Sequence, residues 1–366
     1  MQRYIETLKG EQLKTLAENS LHAMGESRAG QKILKAYAFD SEGRIEDSRL
    51  ATSFAGVEVE NPIMVGAGWD KKGRAIHGLY CLGFSSVEVG TVTPEGQPGN
   101  PKPRLWMVDS EHRIGLNHMG FNSPGMDAVA GHLELAQPLP FPMGVSAGRN
   151  KITSNEAAAE DHQKIIKRLG SYASYIALAI STPGSPGVRD LQNKEFFREQ
   201  IQAAKAVLPP TVPLFVKIDG ERSADELDDM IDIGLEEGLD GFVATNTYMS
   251  KDLKAKYGTR WADQPGGLSG ADPEFRALST EVIRFIYEAA GNQLAIIGVG
   301  AVDSTEAALE KMGAGASAVQ VVTAMRPSLG KVAARINRGL LERIERDGVS
   351  GIRNYIGIDT KRGVKA

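Results

Sequence analysis

PLFVKID, residues 213–219, is a short apolar run ending on a lysine and an acid, and seven other runs in the chain share its design. Toward the N-terminus lie YIALAIS (175–181), PMGVSAG (142–148), FSSVEVG (84–90) and PIMVGAG (62–68). Toward the C-terminus lie GFVATNT (241–247), LAIIGVG (294–300) and ASAVQVVT (316–323). Near-continuous apolar runs of this length suit strands buried on both faces, as a parallel sheet requires. Amphipathic, helix-favouring sequence separates most of them, so the order is strand–helix repeated. Eight such units predict an α/β fold of the (β/α)8 TIM-barrel type, whose strand C-termini face one mouth where the active site sits. That mouth gathers Lys71, Asn117, Thr182, Lys217, Asn246 and Thr323 from distant parts of the chain.

A barrel accounts for roughly 250 residues, and the chain has 366. The remainder predicts an N-terminal helical extension over residues 1–45, with the barrel and its insertions filling 46–366. The extension reads as two helices broken near Gly25–Gly30, with apolar positions at Leu8, Leu13, Leu16, Leu21, Met24, Ile33 and Leu34. It suits either a cap packed on the barrel or a pair lying on a membrane surface or lining a tunnel. RLATSFAGVEVE (49–60) reads as a hairpin plugging the barrel bottom. The segment from Thr91 to Pro140 is too long for an ordinary strand–helix loop, which marks it as functional.

Composition excludes several classes. A net charge of -4 argues against a nucleic-acid footprint. The single cysteine, Cys81, rules out internal disulfides and reads as a buried core thiol in a reducing, cytoplasmic setting. No CxxC or HExxH spacing occurs, and the six histidines do not cluster, so no metal site is expected. No run approaches the ~18 apolar residues of a membrane span.

The strand ends carry the chemistry. Gly298-Val299-Gly300, Val322-Thr323 and GGLSG (266–270) converge on one corner, where bare backbone N–H groups predict a phosphate site. Two lysines at buried strand ends, Lys71 and Lys217, call for an anionic cofactor or substrate, because burying them unpaired is costly. For Lys71 the adjacent Asp70 is a competing partner. Asn117 and Asn246 add amides that match donor–acceptor pairs on a planar ring.

AGWDK, VEVGTVTPEGQPGNPKPRL, NHMGFNSPGMDA, GRNK, STPGSPGVRDLQ, VATNT, GGLSG, IIGVGAVDS and GASAVQ, in this order, resemble the dihydroorotate dehydrogenase family from about Leu50 to Arg343. The helical N-terminus resembles the membrane-associated, quinone-using class. The resemblance implies an FMN site bordered by the backbone at Ala67, Gly68, Gly90 and Thr91. Lys217 would lie at the flavin's pyrimidine edge with Thr247 nearby, and Ser269, Gly270, Gly300, Val322 and Thr323 would hold the phosphate. Lys71 would pair with the substrate carboxylate and Asn117 and Asn246 with the ring amides, with Phe121, Ser185 and Thr247 also at the substrate. The family's base, a serine in quinone-using members, falls at Thr182. It would remove a C5 proton from dihydroorotate while a hydride passes from C6 to flavin N5, a step of pyrimidine biosynthesis.

The chain also departs from the family. Ser146, Ala179 and Gly184 stand where asparagines are usual, and Ala301 where a glycine is usual. The arginine that faces the quinone falls at Met107, and its histidine partner near Lys14. Three functions are therefore weighed. The first is an FMN oxidoreductase acting on dihydroorotate with the altered contacts tolerated, a quinone being one candidate acceptor, cytoplasmic or peripheral on the inner face of a membrane. The second is the same scaffold acting on another small anionic substrate or acceptor, and the third a catalytically weak flavin-binding protein. Ala179 and Gly184 separate the first from the second, and a plausible base beside two ring-binding amides argues against the third.

Overall fold

A computed structural model of the chain describes residues 2–39, 45–109, 113–185, 187–325 and 331–360, with side chains from Glu11 onward. Leu8 lies in the first helix, but its side chain falls outside the described residues. Helices α1 (Gln2–Gly25) and α2 (Arg28–Phe39) come first and break where the glycines predicted. Strands β1 (Thr52–Phe54) and β2 (Val57–Val59) then form an antiparallel hairpin.

The apolar runs become β3 (Ile63–Val65), β4 (Val87–Val92), β7 (Met143–Ala147), β8 (Tyr175–Ala179), β9 (Leu214–Ile218), β10 (Gly241–Ala244), β12 (Ala295–Val299) and β13 (Ala318–Val321). They pair in chain order, all parallel, and β13 returns to β3 to close an eight-stranded barrel. Between them run α3 (Ile76–Cys81), α4 (Met126–Leu135), α5 (Ala158–Leu169), α6 (Lys194–Lys205), α7 (Ala224–Glu236), α8 (Lys251–Ala255), α9 (Pro273–Ala290) and α10 (Thr305–Gly313), with α11 (Lys331–Asp347) after β13. Helix starts follow local signals. Ser223 and Glu226 make a reciprocal capping box before α7, and Asp272 caps α9 ahead of Pro273. Cys81 is buried, as a core thiol should be.

The hairpin closes the barrel floor. Phe54 meets Tyr175 and Phe215 edge-on, at centroid separations of 5.5 and 5.8 Å, inside a cluster that includes Met64, Val243 and Ile297. Above the mouth, β5 (Leu105–Asp109), β6 (Ile114–Asn117) and β11 (Gly267–Ser269) form a second sheet, ordered β11-β6-β5. The long insertion therefore folds into a cover, and GGLSG supplies its third strand.

The strands are shorter than the runs. PIMVGAG gives only Ile63–Val65 to the sheet, so Lys71 lies in the following loop rather than on a strand end. Asn246 and Thr323 likewise lie just beyond β10 and β13. Helix α1 is pinned over the mouth: Glu11 bonds Arg104 at 3.0 Å and Lys102 at 3.1 Å, and Lys14 Nζ donates to Gly68 O at 2.8 Å.

Lys311 is a buried lysine outside the mouth. Carried on α10, it donates to the hydroxyls of Ser279 and Thr280, and burial pushes its pKa down to about 7 against the pull of Glu310. Below that pH both folded and unfolded chains hold the proton, and the cost of burying the charge is fully present. Above it the folded chain loses the proton first, so stability rises with pH toward the ordinary lysine range. Lys311→Met should therefore raise Tm most below pH 7, with a gain that shrinks under alkaline conditions. Thermal melts of both proteins from pH 6 to 10 check this; a gain independent of pH would contradict it.

Candidate active site

A cavity of about 690 Å³ opens at the C-terminal end of the barrel and runs out beneath α1. Ala67, Gly68, Lys71, Thr91, Asn117, Phe121, Thr182, Lys217, Asn246, Thr247, Ser269, Gly270, Gly300, Val322 and Thr323 all line it. Gly90 and Ser185 do not. Gly90 stands one residue behind the wall, donating to Asp70 O at 3.0 Å and accepting from Gly68 N at 2.7 Å. Ser185 is buried, and its hydroxyl has no partner among the described residues.

Lys71 is buried and bonds Asn122 Oδ1, while the Asp70 carboxylate is committed elsewhere. Asp70 accepts the backbone N–H groups of Lys72, Gly73, Arg74 and Ala75 at 2.8–3.2 Å, anchoring the turn into α3. The adjacent-pair alternative for Lys71 therefore fails. Burial, with the like charges of Lys14 and Arg104, holds the Lys71 ammonium well below its ordinary pKa. An anion entering this site would meet a desolvated lysine with its counter-charge unfilled.

Around Lys71 stand the neutral groups. Thr182 Oγ1 accepts the Gly184 N–H at 3.2 Å. Asn246 donates to Ser181 Oγ at 3.1 Å and accepts from Thr247 N at 2.8 Å, which fixes its amide orientation. Asn117 donates to Gly267 O at 3.3 Å, a bond between two neighbouring strands of the cover sheet. Lys217 lies deeper; burial lowers its pKa, opposed by the charge of Glu88. Glu88 accepts from Gln320 at 2.7 Å and Tyr175 at 3.2 Å inside the barrel. Gln320 lines the cavity and was not expected from the sequence. A polar residue inside an otherwise apolar run was the signal available.

At the opposite corner the Thr323 and Ser269 hydroxyls are 2.9 Å apart, joining the end of β13 to β11. Gly270 (φ 146°) and Gly300 (φ 116°) take backbone angles that side chains resist, leaving bare backbone on the wall. Ala301 adopts φ 52° without being glycine, at a cost of ~1 kcal/mol.

The departures are visible in space. Ser146 Oγ lies 3.0 Å from Thr91 Oγ1, a short hydroxyl pair where an asparagine would reach further. Ala179 lines the cavity in register beside Lys217. Gly184 is a contact, not a gap: a Cβ there would stand 2.8 Å from Gly120 N, and its carbonyl accepts from Asn100 at 2.6 Å. The loop after β8 thus lies against the 117–122 segment, and an asparagine at 184 would push them apart. In the outer arm under α1, Leu13, Lys14, Leu16, Trp106 and Met107 line the cavity, and Leu13, Leu16 and Met107 are exposed.

The sequence profile described as dihydroorotate dehydrogenase matches residues 49–344. The chain belongs to the dihydroorotate dehydrogenase family. It is 40% identical over 319 residues to a dihydroorotate dehydrogenase (quinone) of Anaeromyxobacter dehalogenans, covering 86% of each chain. To one from Halobacterium salinarum it is 37% identical over 335 residues, covering 91% of this chain and 93% of the relative. The crystal structure of ligand-free dihydroorotate dehydrogenase from Eimeria tenella superposes with a TM-score of 0.81 at 31% identity, over 90% of this chain and 98% of that one.

Membership in this family carries a flavin cofactor, and the residues present fit one. Two buried polar atoms on the cavity wall, Thr247 Oγ1 and Gln320 Oε1, have no partner among the described residues. Buried orphan groups of this kind need a ligand or water to satisfy them. No helix among the described residues is long and apolar enough to cross a membrane.

Proposed function

We propose that this protein is an FMN-dependent dihydroorotate dehydrogenase that oxidises dihydroorotate to orotate and passes the electrons to a quinone. The observation that carries the reading is one cavity joining a desolvated lysine, two oriented amides and a loop hydroxyl to a bare-backbone corner. In this reading residues 1–45 form the helical extension and residues 46–366 the FMN-binding barrel.

Ser269, Gly270, Gly300, Val322 and Thr323 would hold the FMN phosphate, with Ala67, Gly68, Gly90 and Thr91 along the ring and Lys217 and Thr247 at its pyrimidine edge. When bound, FMN supplies the hydride acceptor. The protein supplies the rest. Lys71 holds the substrate carboxylate, and Asn117 and Asn246 orient the ring amides. Phe121, buried at the wall, covers the ring from solvent; Ser185, expected at the substrate, is buried off the cavity wall and has no part in this reading. Thr182 takes the C5 proton. A hydroxyl is a weak base, so it must work through a hydrogen-bonded relay that carries the proton away. As the C5 proton arrives, the hydroxyl hands its own proton to the relay and ends neutral, and the Gly184 N–H bonded to Thr182 Oγ1 holds the oxygen in place. The arm beneath α1 suits a quinone, and its exposed Leu13, Leu16 and Met107 suit peripheral contact with the cytoplasmic face of a membrane.

Anaerobic mixing of the purified yellow protein with dihydroorotate should bleach the flavin and release orotate. Protein that takes up no FMN, or a flavin that stays oxidised, would overturn the reading. A second reading keeps the cofactor and changes the substrate. It is favoured by Ala179, which offers no amide beside Lys217, and by Gly184, whose position admits no asparagine without backbone movement. Bleaching by another carboxylated ring but not by dihydroorotate would select it.

A further inference from the structure

Seven residues after Thr182, Arg189 turns back onto the barrel. Its guanidinium meets Asp219 in a two-pronged pair, Nη2 to Oδ1 at 2.7 Å and Nε to Oδ2 at 3.0 Å. Asp219 is buried two residues beyond Lys217. It also accepts from Gln192 Nε2 at 2.7 Å and Arg222 Nε at 3.2 Å, and from Glu221 N at 3.0 Å. Arg222 in turn donates to Arg189 O at 3.1 Å. The pair reaches a third loop as well. Arg189 Nη1 lies 3.3 Å from Glu221 Oε2 and 3.0 Å from Met249 Sδ, and Glu221 Oε1 accepts the N–H groups of Met249 and Ser250 at 2.9 and 2.7 Å.

Asp219 therefore ties the loop after β8 to the loop after β9, and Glu221 and Arg189 extend the tie to the loop after β10. Those loops carry Thr182, follow Lys217, and carry Asn246 with Thr247. Burial opposes ionisation of Asp219, yet Arg189 and Arg222 hold its carboxyl below the ordinary range. The carboxylate touches no part of the cavity wall, and Arg189 does not line it either.

We propose that Asp219 is a positioning residue: by fixing Arg189 it sets the Thr182 loop against Lys217 and Asn246. This rests on the catalytic reading above. The physical reason is that a hydroxyl acting as a base depends steeply on its distance to the reacting carbon. Misplacement by about 1 Å costs on the order of 10²-fold in rate. Bidentate arginine–carboxylate pairs fix direction as well as distance, which a single hydrogen bond does not.

Asp219→Asn in the FMN-loaded full chain tests this with two readouts. In the first, anaerobic flavin reduction by dihydroorotate should slow by about tenfold or more, with FMN content unchanged and KM altered far less than kcat. Arg189→Gln should do the same, and the double variant should be slower than the single ones by less than the product of their effects, because each single change already breaks the shared Arg189–Asp219 pair. In the second, trypsin cleavage after Arg189 should accelerate in Asp219→Asn, since the pair that sequesters the guanidinium is weakened. Unchanged reduction in Asp219→Asn would overturn the proposal whatever trypsin does, and so would additive single variants. If dihydroorotate fails to bleach the wild-type protein, the catalytic reading has failed instead. Cleavage after Arg189 then still decides the clamp: an unchanged rate overturns it.

Discussion

Thr182→Ala is expected to slow reduction of the bound flavin by dihydroorotate by about 10²–10⁴-fold, the usual contribution of a positioned base. FMN content should stay at the wild-type level, because Thr182 Oγ1 bonds the Gly184 N–H and takes no part in the Ser269–Thr323 contact. Thr182→Ser should retain most of the rate, since it keeps the oxygen that accepts the Gly184 N–H and drops only a methyl. The two variants together separate loss of the oxygen from a change of packing. Anaerobic stopped-flow absorbance measures both. If Thr182→Ala is reduced at the wild-type rate, the base lies elsewhere. Neither Ser181 nor Ser185 lines the cavity, but Ser181, whose hydroxyl accepts from the cavity-lining Asn246, is then better placed than Ser185, whose hydroxyl has no partner among the described residues.

Lys71→Met should weaken orotate binding by about 10²-fold or more, because it leaves the ligand's carboxylate buried without its counter-charge, at roughly 3–5 kcal/mol. FMN binding should be unaffected. The ligand-free protein should respond in the opposite sense, melting higher than wild type. Burial depresses the folded-state pKa of Lys71, so its cost is fully present below that pKa, where folded and unfolded chains both hold the proton. As pH rises the folded chain releases the proton first, stability climbs, and the advantage of methionine shrinks. Orotate reverses the preference, since a carboxylate favours the ammonium. Orotate should therefore bind with proton uptake once the pH exceeds the depressed pKa, and affinity should fall as the pH rises further. Calorimetric titrations with orotate in buffers of different ionisation heat, flavin absorbance titrations across pH, and melts read all of this. Orotate affinity unchanged in Lys71→Met would place the carboxylate on another group.

How much of this was legible beforehand follows from what each feature depends on. Strand order, barrel closure and the hairpin plug are written in local pattern, because a strand buried on both faces must be apolar throughout and a crossover must be long enough for a helix. Barrel geometry then sends every strand end to one mouth, so Lys71, Thr182, Lys217 and Asn246 could be grouped from the order of the runs alone. Motif resemblance added their roles and the phosphate corner. Contacts between loops were not legible, because they depend on register, on where each strand stops, and on which backbone atoms come within bonding distance. Asp70 turned from Lys71 to four backbone N–H groups because the turn into α3 presents them together. Gly184 could be read in sequence as a missing asparagine; only the packing of its loop against Gly120 makes it a position where a side chain does not fit. The Arg189–Asp219 pair joins residues 30 apart in the chain, and Glu88 meets Gln320 across 232. The chain alone determined which groups reach the mouth; the closed barrel and the loops folded over it decided which of them touch, because hydrogen bonds act over about 3 Å and sequence order carries no distance.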